Sequence, residues 1–383
     1  MAKVEGTFLM SKNKRKMSKK SIIEKISERF DKKTMSKFVD LDAFSDVDHW
    51  YSSGVPRIDY KMNTLGFPPG IIEIAGPSMC GKTTLALHSM AAFLRKYIEN
   101  GFAIILSSEG RDNKEYAERI GINTSDVLVV KSKFVEDLLL KAQSLINNIT
   151  EEWQKEGNSG KPRFFFMWDS LGSTLSRAEI STMDQNLLKM EKSEESGKGY
   201  ELDHEQMAAF AKQAKKMAKF MMAHSYESHT SFVIINHVHD KIGGTPGTKS
   251  GGGKWVEYMP TIRLKMVKIA NLKGRDPNEI GGQTTMIEII KSDYGTKHKF
   301  NVDILLGHGF ILTEEDIDFG VAEEIIEAPS AKVREALNGK LRWKSAPELY
   351  DLYKNPKTAS LLRVLHKKIT RLYHEKVLKN HGK

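Results

Sequence analysis

Cysteine is nearly absent: Cys80 is the single one in 383 residues. No disulfide can form within the chain, and a reducing compartment is expected. Also missing is any apolar run approaching the roughly 18 residues that a membrane-spanning helix requires. The charged N-terminus has no apolar stretch behind it, so no secretory leader is expected. Acidic charge is in short supply, with 49 Asp and Glu against 59 Lys and Arg, a net charge of +10 and a pI near 9.2. That excess favours a polyanionic partner such as nucleic acid, although solubility alone accounts for it too. What is present is globular composition, 40% hydrophobic and 28% charged. It suits one large α/β domain with appendages, or two ordinary domains.

The strongest local signal is Gly76-Pro77-Ser78-Met79-Cys80-Gly81-Lys82-Thr83, which spells G-x-x-x-x-G-K-[ST]. It follows a β-branched apolar run, Ile71 to Ala75, that reads as a buried strand, and it leads into Thr84 to Arg95, which suits a helix packed on a sheet. Strand, glycine-rich turn and helix start together form an anion site, because freed backbone N–H groups converge there with the helix dipole. Gly76 and Gly81 let the main chain approach a ligand, Lys82 reaches β- and γ-phosphates, and Thr83 offers Mg²⁺ a hydroxyl. Thr84 continues the helix, and Cys80 is a small filler. This is a nucleotide site.

Along the chain, residues 1–45 read as a basic arm followed by a short amphipathic helix (Ile22, Ile23, Ile26, Phe30), a candidate subunit contact. Residues 38–60 read as loop. A second buried strand, Phe102 to Ser107, ends in Ser108-Glu109-Gly110; a helix from Asn113 to Ile120 closes on Gly121. A third strand (Val127 to Val130) and a helix (Glu136 to Ile149) precede a polar, flexible stretch at 151–162. Phe164-Phe165-Phe166-Met167-Trp168-Asp169 is a buried strand presenting one acid, which fits the Walker-B role. In open parallel sheets ligands lie beyond the carboxyl ends of strands, so Gly76, Glu109 and Asp169 are expected on one rim, with Glu109 as general base.

Residues 176–206 read as a charged, mobile insertion, and Glu205 to His224 as a long helix with a methionine stripe. Ser231 to Asn236 is a further strand ending in His237. After it, Lys241, Gly243, Gly244, Thr245, Lys249 and Gly251-Gly252-Gly253 suit a loop whose amides and cations meet phosphates. Strands at 261–267, 285–291 and 301–306 suggest a meander, and everything from Glu314 onward reads as a basic helical unit.

The ordered run from Ser53-Gly54 through Gly76–Thr84, Ser108-Glu109, Trp168-Asp169-Ser170 and Asn236-His237 to Gly251-Gly252-Gly253 resembles the RecA family of recombinases, most of all the UvsX-type enzymes of tailed phages. The likeness spans roughly residues 50–310. It implies an α/β fold: a RecA-like P-loop ATPase core with a largely parallel sheet at 46–312, behind an N-terminal arm at 1–45 and before a small helical domain at 313–383. It also implies a DNA-dependent ATPase, using ATP and Mg²⁺, that forms helical filaments of itself on single-stranded DNA and pairs it with homologous duplex. Single-strand-binding protein and a loading mediator are further implied partners, no membrane is, and the setting is the cytoplasm, that of the host for a phage-encoded chain.

Carried over by position, Lys82 and Thr83 bind phosphate and Mg²⁺, Glu109 is catalytic, Asp169 is the Walker-B acid, and Tyr116 stacks on adenine. His237 stands where bacterial members carry a γ-phosphate-sensing Gln. Residues 176–204 and 238–253 correspond to the two DNA loops. The resemblance departs in two places. Bacterial members reach across the subunit interface with a pair of lysines two apart, whereas here the stretch reads Lys291-Ser292-Asp293, leaving Lys291 alone with Lys297 as a stand-in. Their acidic tail is replaced by the basic end from Lys367. Two alternatives share these features: a ring-forming replicative helicase and a non-enzymatic DNA-binding mediator.

Overall fold

The computed structural model describes residues 49–110, 113–177, 215–225, 229–240, 248–250, 255–274, 280–294 and 297–380. The basic arm and helix predicted within 1–45, the insertion read at 176–206 from residue 178 on, and the first part of the helix read from Glu205 lie outside them. The described elements are α1 (Pro56–Met62), β1 (Gly70–Gly76), α2 (Lys82–Lys96), β2 (Gly101–Ser107), α3 (Lys114–Ile120), β3 (Val127–Lys131), α4 (Val135–Lys155) and β4 (Arg163–Asp169). A helix at 215–225 (α5) follows, then β5 (Ser231–Asp240), β6 (Thr248–Ser250), β7 (Ile262–Lys273), β8 (Ile280–Ser292), β9 (Lys299–Leu305) and β10 (Gly309–Ile311). The chain continues through α6 (Glu314–Ala322), β11 (Ile326–Glu327), β12 (Arg334–Ala336), β13 (Leu341–Trp343), α7 (Ala346–Lys354) and α8 (Pro356–Asn380).

One sheet organises the molecule, in the order β10-β9-β8-β7-β1-β5-β4-β2-β3, with β6 paired to β5. From β7 to β3 neighbouring strands run parallel, and the meander from β7 to β10 is antiparallel. Parallel strands are covered on both faces, so period-2 alternation splits their side chains between two cores. On β4, Phe164, Phe166 and Trp168 join α4 and α5 on one face, through Val135, Leu138, Met217 and Met221. Phe165 and Met167 point to the other, with Leu85 and Met90 of α2. Lys215, Lys216 and Lys219 of α5 are exposed, an ordinary solvated face.

Four sequence expectations are corrected. Pro56 opens α1 rather than closing a loop; its fixed φ and missing N–H cost nothing at the first helical position. Helix α4 runs on to Lys155, through the start of the stretch read as flexible. The strand ending in His237 continues to Asp240 and pairs with β6, Val238 opposite Ser250 and Asp240 opposite Thr248. A ladder needs only short flanks, so glycine between them did not prevent it. The unit after Glu314 is not purely helical: β11, β12 and β13 form a small antiparallel sheet, each too short to leave a periodic trace.

That unit has its own apolar core, including Leu341, Trp343, Leu362, Leu365 and Ile369. It is tied to α1: Tyr60 stacks on Tyr373 with centroids 4.5 Å apart, His374 Nε2 lies 3.0 Å from Asp59 Oδ2, and buried Arg57 pairs with Glu315 and Asp316. Among the described residues no helix is long and apolar enough to cross a membrane.

Candidate nucleotide site

Strand register assembles the site. Gly76 at the end of β1 is opposite His237 on β5, and Ser107 at the end of β2 is opposite Asp169 on β4. Since Trp168 pairs with Ile234, these strand ends share the carboxyl rim of the sheet. Gly76, Glu109, Asp169 and His237 therefore meet at one edge.

The phosphate loop needs its glycines for reasons the motif does not state. A Cβ on Gly76 would collide with the Met266 carbonyl and the Cys80 sulfur, and one on Gly81 with the Ile304 side chain. Gly81 also takes φ +97°, the left-handed region, immediately before α2. From below, two buried residues of β8 hold the loop: Gln283 Nε2 donates to the Met79 carbonyl at 2.9 Å, and Thr285 Oγ1 to that of Cys80 at 3.2 Å. Met79 is 81% exposed at the crest, while Cys80 is buried, a packed filler. Pro77, Ser78 and Met79 form the open lip.

Lys82 Nζ donates to the carbonyls of Gly76 (2.9 Å) and Pro77 (2.6 Å). Burial pushes its pKa down, opposed by Cys80, Asp169 and Glu109. Thr83 Oγ1 donates to Asp169 Oδ2 at 3.0 Å, so the hydroxyl and the carboxylate predicted for a metal are already adjacent. One carboxylate and one hydroxyl suit Mg²⁺, which retains waters and takes the rest of its octahedron from phosphates. Among the described residues there is no cluster of three or more His, Cys, Asp or Glu able to hold a metal by themselves.

Glu109 accepts a hydrogen bond from Ser170 Oγ at 2.7 Å, and His237 Nε2 lies 3.4 Å from the same oxygen. Ser108 Oγ donates to the backbone carbonyls of Asp169 (3.2 Å) and Ser170 (2.9 Å), which sutures the ends of β2 and β4. Tyr116 shares a 2.8 Å hydrogen bond with Thr84 Oγ1, and burial raises its pKa. Asn113 caps α3 by accepting the Tyr116 N–H. Tyr116, Thr83, Asp169 and Asn113 line a cavity of about 460 Å³ with an apolar wall that includes Leu87, Met90 and Val127. That volume suits a nucleoside.

Two groups of predicted residues are not brought to this rim. Lys291, opposite Arg263 on β7, sits near the amino end of the parallel strands, and its Nζ donates to the carbonyls of Tyr258 (2.9 Å) and Pro260 (2.7 Å). It therefore does not serve the phosphate loop of its own chain. Lys297 is exposed. Of the proposed DNA-contacting positions, Lys249 lies in β6; Lys241, Gly243, Gly244, Thr245, Gly251, Gly252 and Gly253 lie outside the described residues.

Sequence reasoning missed the buried supports. Glu73 on β1, 1% exposed, accepts from Asn236 Nδ2 at 2.9 Å and from Arg263 Nε at 2.5 Å. It binds the phosphate-loop strand to β5, one residue before His237, and to β7. A carboxylate interrupting the apolar run Ile71-Ile72-Glu73-Ile74 was the available signal, because buried charge survives only when paired.

A phosphate-loop motif at the carboxyl rim of a mostly parallel sheet, with a carboxylate on a nearby strand end, gives this α/β protein a RecA-like fold. A sequence model of the RecA N-terminal domain matches residues 16–150, which include the phosphate loop, Glu109 and Tyr116. The chain is 28% identical to Protein RecA of Nitrobacter winogradskyi over 333 residues, covering 86% of this chain and 81% of that protein. It is 28% identical over 314 residues to Protein RecA of Rhodopseudomonas palustris, with 81% and 79% covered, and 27% identical to that of Chlorobaculum parvum, with 81% and 80% covered. These findings support the RecA family.

Proposed function

We propose that this chain is an ATP-dependent DNA strand-exchange recombinase of the UvsX type, which polymerises into helical filaments on single-stranded DNA and pairs it with homologous duplex. The observation that carries the reading is the contact of His237 with Glu109. One residue links the hydrolytic rim to β5, the strand that leads into the glycine-rich segment after Asp240.

In this reading the loop amides and Lys82 hold the phosphates, Tyr116 faces the base, and Thr83 with Asp169 holds Mg²⁺, which neutralises phosphate charge. Glu109, oriented by Ser170, accepts a proton from the attacking water. His237 exchanges its contact with Glu109 for the γ-phosphate and so reports occupancy to residues 238–253, where Lys241, Lys249 and the glycines meet DNA. Lys291 reaches a neighbouring copy's nucleotide, with ATP bound between subunits. Single-strand-binding protein and a loading mediator are the expected helpers, in the cytoplasm of a phage host.

The deciding experiment is homologous strand pairing with and without ATP, together with electron microscopy on single strands. Helical filaments and ATP-dependent pairing are expected. Six-fold rings formed regardless of DNA would overturn the reading in favour of a helicase.

A further inference from the structure

A second concavity, of about 1090 Å³, lies away from the phosphate loop, between α2, α3 and the long C-terminal helix α8. Its lining carries seven Lys or Arg side chains and two Glu. Both acids are engaged: Glu118 with Lys114 and Thr124, Glu375 with Arg371. The cations converge. A Cβ on Gly121 would meet Arg363 Cδ at 3.8 Å and Arg95 Nη1 at 4.0 Å, so these two arginines, one from α8 and one from α2, approach over the same glycine. Arg363 also reaches the Arg119 carbonyl at 3.4 Å. Among the described residues neither Arg95 nor Arg363 has a carboxylate partner. Arg95 is exposed at the cleft, and its partial desolvation together with Arg363 depresses its pKa. Holding like charges together costs free energy unless an anion joins them.

We propose that this cleft binds a compact, multiply charged phosphate group, the triphosphate or diphosphate of a nucleotide or of inorganic polyphosphate, clasped by Arg95 and Arg363. Guanidiniums are the side chains suited to bidentate phosphate recognition. The volume is at the upper end of small-ligand sites, which run to roughly 1,000 Å³. The cations line a hollow rather than a ridge along which duplex DNA would lie. Because its walls come from both the ATPase core and the C-terminal unit, an occupant braces one against the other. The proposal is independent of the recombinase reading.

The test uses the full chain carrying Lys82→Ala, which weakens the phosphate loop, titrated by calorimetry with inorganic tripolyphosphate in chloride buffer. One site per chain is expected, weakened about tenfold or more by Arg363→Ala and by Arg95→Ala with circular dichroism unchanged. Should Arg95→Ala fail to fold, exposed Arg363 carries the test alone. A parallel titration with a nucleoside triphosphate separates the sources: tighter binding than tripolyphosphate assigns a nucleotide, equal binding an inorganic polyphosphate. The proposal is overturned if nothing binds, if binding is indifferent to both arginines, or if the two substitutions weaken only duplex DNA binding.

Discussion

Two histidines beside this cleft should make the protein lose stability as pH falls, by an amount that can be worked out. His88 Nε2 accepts the Phe310 N–H at 3.1 Å. Tyr353 OH accepts the Leu312 N–H at 2.9 Å and shares a 2.6 Å hydrogen bond with His366 Nε2. His88 Nε2 is an acceptor, and burial favours the neutral form of both rings. Burial, reinforced for each by the charge of Arg95, holds His88 at about 3 and His366 at about 4. In the unfolded chain both titrate near 6.5. Between those values the unfolded chain binds protons that the folded chain refuses. Stability is therefore full above about pH 6.5 and falls toward the folded pKa values, with a slope of about 1.4 kcal/mol per pH unit for each ring. From about pH 7.5 to pH 5 full linkage would remove about 2 kcal/mol per ring; both retain an edge toward solvent, so about 2 kcal/mol for the pair is the expected loss. Urea unfolding in chloride buffer measures it. His88→Gln/His366→Gln keeps a polar side chain at both positions without the titration and should flatten the dependence. A double variant with the parent's slope would refute the argument.

Glu109→Gln should lower ATP hydrolysis by about 100-fold or more while nucleotide binding persists, as turnover and equilibrium binding would show together. Glu73→Gln removes the buried carboxylate that Arg263 and Asn236 share and should cost about 3 kcal/mol in urea unfolding; a change below about 1 kcal/mol would mean that the pair is not truly desolvated. Gln283→Ala frees the Met79 carbonyl and should weaken nucleotide binding about fivefold at little cost in stability, read by titration against thermal melting.

The placement of the rim's groups was legible because each of them follows an apolar run. Ile71–Ala75, Phe102–Leu106, Phe164–Trp168 and Phe232–Ile235 announce strands, and a residue just beyond a strand has a fixed place in a parallel sheet. What holds the rim together was not legible. Ser170, Gln283, Thr285 and Asn236 are ordinary polar residues whose importance comes from partners up to 205 positions away. Register supplies that information, and a single sequence does not carry register. The cleft of Arg95 and Arg363 escaped for the same reason: α2 and α8 each look like a helix with a solvated basic face until they are set side by side.

Strand β8 joins two places that the chemistry treats separately. Gln283 and Thr285 grip the underside of the phosphate loop, and six residues beyond Thr285 stands Lys291, about 20 Å away at about 3.4 Å per residue. β8 is paired on both sides from Gly282 to Glu288, and beyond a register shift Lys291 is held by β7. If an adjacent copy's nucleotide draws Lys291 off the Tyr258 and Pro260 carbonyls, β8 acts as a connecting rod, and its far end shifts the carbonyls of Met79 and Cys80. In the proposed filament, successive sites would then be timed by the travel of one strand.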